Sequence, residues 1–219
     1  MIRLDSIKKS YPNGELFSNV NISIKRGMRV GLVGKNGSGK TTLLRIMLNK
    51  ESPDFGHLQV EKNLNIGYLA QEIVTGSKLS IVDEVKDAFP ELRKLEKNIK
   101  DYSFLISNNP NDAACIEKLG EYQSRYEALG GWSLDKKIKK ILGGLGFSKN
   151  QFNSQMEEFS GGWRMRVALA RILTQKPDVL FLDEPTNHLD LDATIWLETF
   201  ISKWEGSLVL ISHDKEFLD

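Results

Sequence analysis

Cysteine is almost missing: Cys115 is the only one in 219 residues. That excludes a disulfide framework within the chain and suits a reducing compartment. Long hydrophobic runs are missing too, since no stretch approaches the roughly 20 apolar residues that cross a bilayer. The opening Met1-Ile2-Arg3-Leu4-Asp5 carries an acid too early for a secretion signal. Neither sign of charge prevails, with 30 Lys and Arg against 29 Asp and Glu. No global field therefore draws in nucleic acid, and such a partner must be held by a local patch. No low-complexity segment or internal repeat stands out. These absences point to a cytoplasmic protein with no membrane insertion. Apolar residues make up 40% of the chain, enough to bury a core. Cys115, between Ala114 and Ile116, reads as a small buried apolar residue.

Apolar patterning predicts strands over 2–7, 20–24, 29–33, 65–69, 179–182 and 208–211. Helical spacing covers 40–48, 80–89, 91–106, 112–129, 134–142, 162–173 and 193–204. Strand–loop–helix units at both ends predict an α/β domain with a largely parallel sheet. Residues 80–147 read as helices only, an insertion within that domain, with a hairpin over 91–129. Asn108-Asn109-Pro110-Asn111 is its turn, and Asp112 can cap the second helix. The chain stops at Asp219, just after a strand, which suggests a piece of a longer polypeptide.

Gly34-Lys35-Asn36-Gly37-Ser38-Gly39-Lys40-Thr41 fits the phosphate-cradling pattern G-x-x-x-x-G-K-[ST]. Its glycines let backbone N–H groups turn toward a phosphate. Lys40 supplies a point charge, and Thr41 offers a hydroxyl to magnesium. Thr42 follows in the same helix, whose positive dipole end faces the anion. Leu180-Phe181-Leu182-Asp183-Glu184 is an apolar strand ending in two carboxylates. Asp183 is the expected partner of magnesium, and Glu184 the base that polarises water. Ser160-Gly161-Gly162 opens a helix and admits a second phosphate contact. The three motifs together imply ATP and Mg2+ as ligands, with hydrolysis as the expected reaction.

These residues resemble the ABC-type ATPases, and in particular their F class. Residues 159–166, Phe-Ser-Gly-Gly-Trp-Arg-Met-Arg, and 183–190, Asp-Glu-Pro-Thr-Asn-His-Leu-Asp, carry the narrower signal, where transporter ATPases differ. The resemblance runs from Tyr11 to His213. It implies a P-loop NTPase fold of the ABC type, with an N-terminal antiparallel β part and an inserted helical arm. It also implies that Tyr11 stacks on adenine and that Gln71 senses magnesium and the attacking water. His213 would contact the γ-phosphate, and Leu189-Asp190 would cross a dimer interface. His57 and His188 read as structural.

Two such domains close head to tail, so Ser160, Gly161 and Gly162 would serve the partner's nucleotide. The partner would be a second ATPase domain of the full protein, or another copy of this chain. Hydrolysis by a lone chain is expected to be weak. In the F class the arm and linker meet ribosomal RNA and tRNA, so the resemblance implies a ribosome-associated step. For the hairpin itself two readings stay open. Lys94, Lys97 and Lys100, with Arg93, Tyr102 and Tyr122, could track phosphates. Interleaved acids could equally make it a solvated amphipathic hairpin. In the run Lys136-Lys137-Ile138-Lys139-Lys140 the lysines are expected to cover the solvent side. The alternatives to a ribosomal ATPase are the ATPase subunit of a membrane transporter and a scaffold that binds ATP without turnover.

Overall fold

The computed structural model describes residues 1–69 and 76–211. The chain divides into two compact units, Met1–Ile73 with Lys176–Asp219, and Val74–Gln175.

The first unit contains two sheets. Strands β1 (Ile2–Tyr11), β2 (Gly14–Ile24) and β4 (Phe55–Val60) form an antiparallel sheet in the order β2-β1-β4. Strands β3 (Arg29–Leu32), β5 (Ile66–Leu69), β6 (Val179–Asp183) and β7 (Ser207–Ile211) form a parallel sheet in the order β3-β7-β6-β5. Every residue of β6 and β7 is buried. That matches their unbroken apolar runs, since a parallel sheet is covered on both faces. Helix α1 (Lys40–Met47) sends Leu44 and Met47 into one cluster with Ile2 and Leu4 of β1, Phe181 of β6 and Val209 of β7. Each such fully buried side chain contributes about 1.5–3 kcal/mol. Helix α7 (Leu191–Ser202) begins where the Asp190 carboxylate accepts the Ala193 N–H at 3.0 Å.

Two differences from the sequence pattern have physical causes. The ribbon β1–β2 runs on to Tyr11 and Gly14, past the predicted ends. Its outer part mixes polar residues with Tyr11, Leu16 and Phe17, and is held by the backbone ladder and a Lys8–Glu15 ion pair of 2.8 Å. Strand β4 has no counterpart among the predicted strands. It pairs with β1 alone, exposes His57 and Gln59, and contains Gly56 at φ +94°. An edge strand with one half-covered face shows little apolar alternation.

The second unit holds helices α2 (Ile81–Lys86), α3 (Pro90–Asn108), α4 (Ala113–Ala128), α5 (Gly131–Gly144) and α6 (Gly161–Gln175). Ser80 caps α2, its hydroxyl accepting the Asp83 N–H at 3.1 Å. Pro90 opens α3, where its missing N–H costs nothing. Helices α3 and α4 pair through the Tyr102 and Tyr122 rings, 5.3 Å apart, and the Arg125–Glu91 ion pair. Asp112 caps α4 by accepting the Cys115 N–H at 3.0 Å. That bond holds the Asp112 carboxyl below its ordinary range. Cys115 departs from its expected role: it is half-buried, not buried. Desolvation and the neighbouring Asp112 push its thiol up.

Candidate nucleotide-binding site

Parallel strands end at a common edge, and the register of this sheet fixes what meets there. Ile211 of β7 lies opposite Leu32 of β3 on one side and Asp183 of β6 on the other. The loop after β3 and the carboxylates ending β6 are thus about two strand spacings apart, roughly 10 Å. This is the edge at which open α/β sheets bind ligands.

The loop itself is preorganised by glycine. Gly37 and Gly39 have φ of +78° and +91°, in the left-handed region. Gly39 caps α1 without any side-chain bond, so the first helical N–H groups face outward from the helix start. The Ser38 N–H donates to the Lys35 carbonyl at 3.1 Å, tightening the turn. Lys40 folds back, its ammonium donating to the Gly34 carbonyl at 2.7 Å and the Lys35 carbonyl at 3.2 Å. A cavity of about 350 Å³ opens here, lined by Asn36, Gly37, Gly39, Lys40, Thr41 and Thr42. Asp183, Glu184 and Tyr11 complete its wall, with Leu16 and Ile211.

The two motifs touch. The Thr41 hydroxyl donates to Asp183 Oδ2 at 3.1 Å, across 142 positions of sequence. Glu184 follows in a left-handed conformation at φ +49°, only 8% exposed, its N–H donating to the Ile211 carbonyl at 2.9 Å. A non-glycine residue held this way costs of order 1–3 kcal/mol, and such positions cluster at functional sites. Pro185 then opens a short 3-10 turn, Pro185–His188.

Tyr11 stands at the mouth of the cavity, 44% exposed. Its hydroxyl donates to Glu51 Oε1 at 2.6 Å, and Lys9 meets the same carboxylate at 3.2 Å. The Tyr11 hydroxyl, with Lys9 behind it, holds the Glu51 carboxyl below its ordinary range. Glu51 carried no signal in sequence, because its role depends on a bond 40 residues away.

Ser160, Gly161 and Gly162 belong to the second unit, at the start of α6. Ser160 and Gly161 are exposed, and the Ser160 carbonyl accepts the Arg164 N–H at 2.9 Å. Behind this turn Phe147 meets Phe159 and Trp163 edge-on, at 5.5 and 4.8 Å. Arg166 lies 4.3 Å over the Trp163 ring and donates to the Leu145 carbonyl at 3.1 Å. Gln71 and His213 lie outside the described residues.

Leu16 and Phe17 are a further part of the site that sequence did not reveal. A Cβ at Gly39 would sit 2.8 Å from the Phe17 ring and 2.9 Å from Leu16, whereas at Gly37 it would meet nothing within 4 Å. Gly39→Ala should therefore lower stability by about 1–3 kcal/mol and weaken nucleotide binding. Gly37→Ala bears the backbone strain alone and should cost less. Thermal unfolding of the two variants checks the order; equal losses would contradict the close packing of β2 beneath the loop.

The family model described as ABC transporter matches residues 17–187. The chain belongs to this family of ATP-binding domains and, within it, to the F type. It is 39% identical to ABC transporter F family member 5 of Arabidopsis thaliana over 223 residues, covering 100% of this chain and 32% of that protein. It is 41% identical to the probable ATP-binding protein YheS of Escherichia coli K12 over 204 residues, covering 93% of this chain and 31% of that protein. The chain thus spans about a third of the length of these curated relatives. Among solved structures, a dimeric ATP-binding cassette in a post-hydrolysis state with ADP and Pi aligns over 100% of this chain and 90% of its own. Its TM-score is 0.65 at 22% identity, a likeness of fold. The F-class resemblance and the α/β cassette fold read from the sequence are both borne out. No described helix is long and apolar enough to cross a membrane.

Proposed function

We propose that this chain binds ATP with magnesium and hydrolyses it as one half of a head-to-tail pair of ATPase domains, driving a ribosome-associated step. The observation that carries the chemistry is the 3.1 Å contact between Thr41 and Asp183 beside Glu184, at the mouth of the glycine loop. A hydroxyl and one carboxylate suit magnesium, which takes few protein oxygens and completes its shell with phosphates and water. Fittingly, no group of three or more His, Cys, Asp or Glu among the described residues could hold a metal by itself. When bound, the ion would neutralise charge on the phosphate oxygens.

The chain's own residues do the rest. Backbone N–H groups of residues 34–41 cradle the phosphates, and the Lys40 ammonium exchanges its carbonyl partners for phosphate oxygens. Glu184, rigidly placed at the end of β6, orients and polarises the attacking water. Tyr11, steadied by Glu51, offers its ring to the adenine. Gln71 and His213 take the sensing roles that the resemblance gives them. Ser160, Gly161 and Gly162 complete the partner's site, and closure is favoured only while the triphosphate is intact. The dimeric state of the related cassette supports the pairing. The F-type relatives, together with this chain's own α3–α4 hairpin in the place of the F-class arm, support the ribosomal reading over the transporter one.

Co-sedimentation of the native gene product with ribosomes and with membranes, in the presence of ATP, separates these readings. Ribosome association is expected, and retention on membranes alone would overturn it.

A further inference from the structure

Basic residues of the two surface elements in the second unit are placed very differently. On the α3–α4 hairpin acids are interleaved with them and half are paired: Lys100 with Glu96, Arg125 with Glu91, and Arg93 with Asp83 and Asp87, while Lys94, Lys97 and Lys118 stand among Glu91, Glu96, Asp101, Glu117 and Glu121. On α5 acids are scarce. Leu134, Ile138, Ile141 and Leu142 are buried, which turns Lys136, Lys137, Lys139 and Lys140 to solvent. The one acid of that helix, Asp135, is taken by Lys86 at 2.7 Å. None of the four lysines has an ion pair with any described residue. In a chain whose charges nearly cancel, this is a concentrated cationic strip. At its amino-terminal end Trp132 is 61% exposed, its ring anchored edge-on by Tyr126 at 4.8 Å. Trp132, Lys136 and Lys140 lie at intervals of four residues, about 6 Å of rise each along one face.

We propose that the outer face of α5 binds single-stranded RNA, with the lysines tracking phosphates and Trp132 stacking on a base. Unneutralised lysines beside an exposed aromatic are what strand binding without sequence preference requires. A lipid surface fits less well. An interfacial helix needs a broad apolar face, and that of α5 is already buried. An acidic protein would use the lysines but leave the anchored indole without a purpose. The assignment deepens the ribosomal reading by naming the surface that meets RNA. It moves that contact from the charge-balanced hairpin, where the sequence pattern left it open, to α5.

Titration of the chain with a short fluorescein-labelled single-stranded RNA, without nucleotide, tests this. Lys136→Glu with Lys140→Glu should weaken binding by at least about 10-fold. It should also flatten the log–log salt dependence by about 0.7 for each lysine removed. Trp132→Ala should weaken binding by about 5-fold or more with the salt slope unchanged. Lys136→Arg with Lys140→Arg should retain affinity, and all sites are exposed, so unfolding does not confuse the result. Three results would each overturn the proposal: unchanged affinity in the Glu variant; loss only when Lys94, Lys97 and Lys100 are replaced; or equal binding to polyglutamate or phosphatidylserine vesicles. Because neither ATP nor ribosomes are present, failure here leaves the ATPase reading standing. Failure of ribosome co-sedimentation, in turn, leaves the RNA titration intact.

Discussion

Replacing Lys40 with Ala is expected to abolish ATP binding at concentrations that saturate the parent chain. The Lys40 ammonium now makes two bonds to loop carbonyls, at 2.7 and 3.2 Å. In the proposed complex the same reach would carry it to the phosphates. Charge-assisted bonds of this kind are worth about 1.5–3 kcal/mol each. Losing two of them weakens affinity by roughly 100-fold or more. Lys40→Arg should not restore it, because a planar fork cannot occupy the space of a compact ammonium wrapped by residues 34–40. Calorimetric titration reads the result. An unchanged dissociation constant would remove the glycine loop from the site.

Glu184→Gln is the second large effect, and it should appear in turnover and not in binding. The amide has nearly the shape of the carboxylate and keeps the backbone at φ +49°, so the fold is undisturbed. What is lost is the negative charge proposed to polarise water. General-base contributions of this kind amount to about 10²–10⁴ in rate. In the native gene product the variant should hold ATP and persist in the closed pair. Single-turnover phosphate release measures this directly. Release at the parent rate would show that another group activates the water.

Much of this was legible because the chemistry demands local patterns. The glycine loop, the apolar strand ending in Asp183-Glu184 and the Ser160-Gly161-Gly162 turn are contiguous in sequence. Strands β6 and β7 were readable as unbroken apolar runs because both their faces are buried. What escaped notice depends on tertiary neighbours. Strand β4 is an edge whose exposed side mixes Phe55 with His57 and Gln59, so it shows no clean apolar alternation. Phe17 and Leu16 matter only because β2 passes beneath Gly39. Glu51 matters only because Tyr11 reaches it. The solvent-facing placement of the four α5 lysines is legible in sequence from the spacing of Ile138, Ile141 and Leu142, which are buried. The lysines' lack of acidic partners emerges only when Asp135, the one acid of that helix, is seen paired with Lys86.

In the bound state proposed for this chain, Thr41 and Asp183 together hold a metal against the phosphates cradled by residues 34–41. Titrating ATP into the chain and into Asp183→Asn, each with and without magnesium, tests it most directly. One ATP per chain is predicted, with magnesium tightening binding in the parent and leaving the variant near its metal-free affinity. An equal magnesium enhancement in both proteins would contradict it.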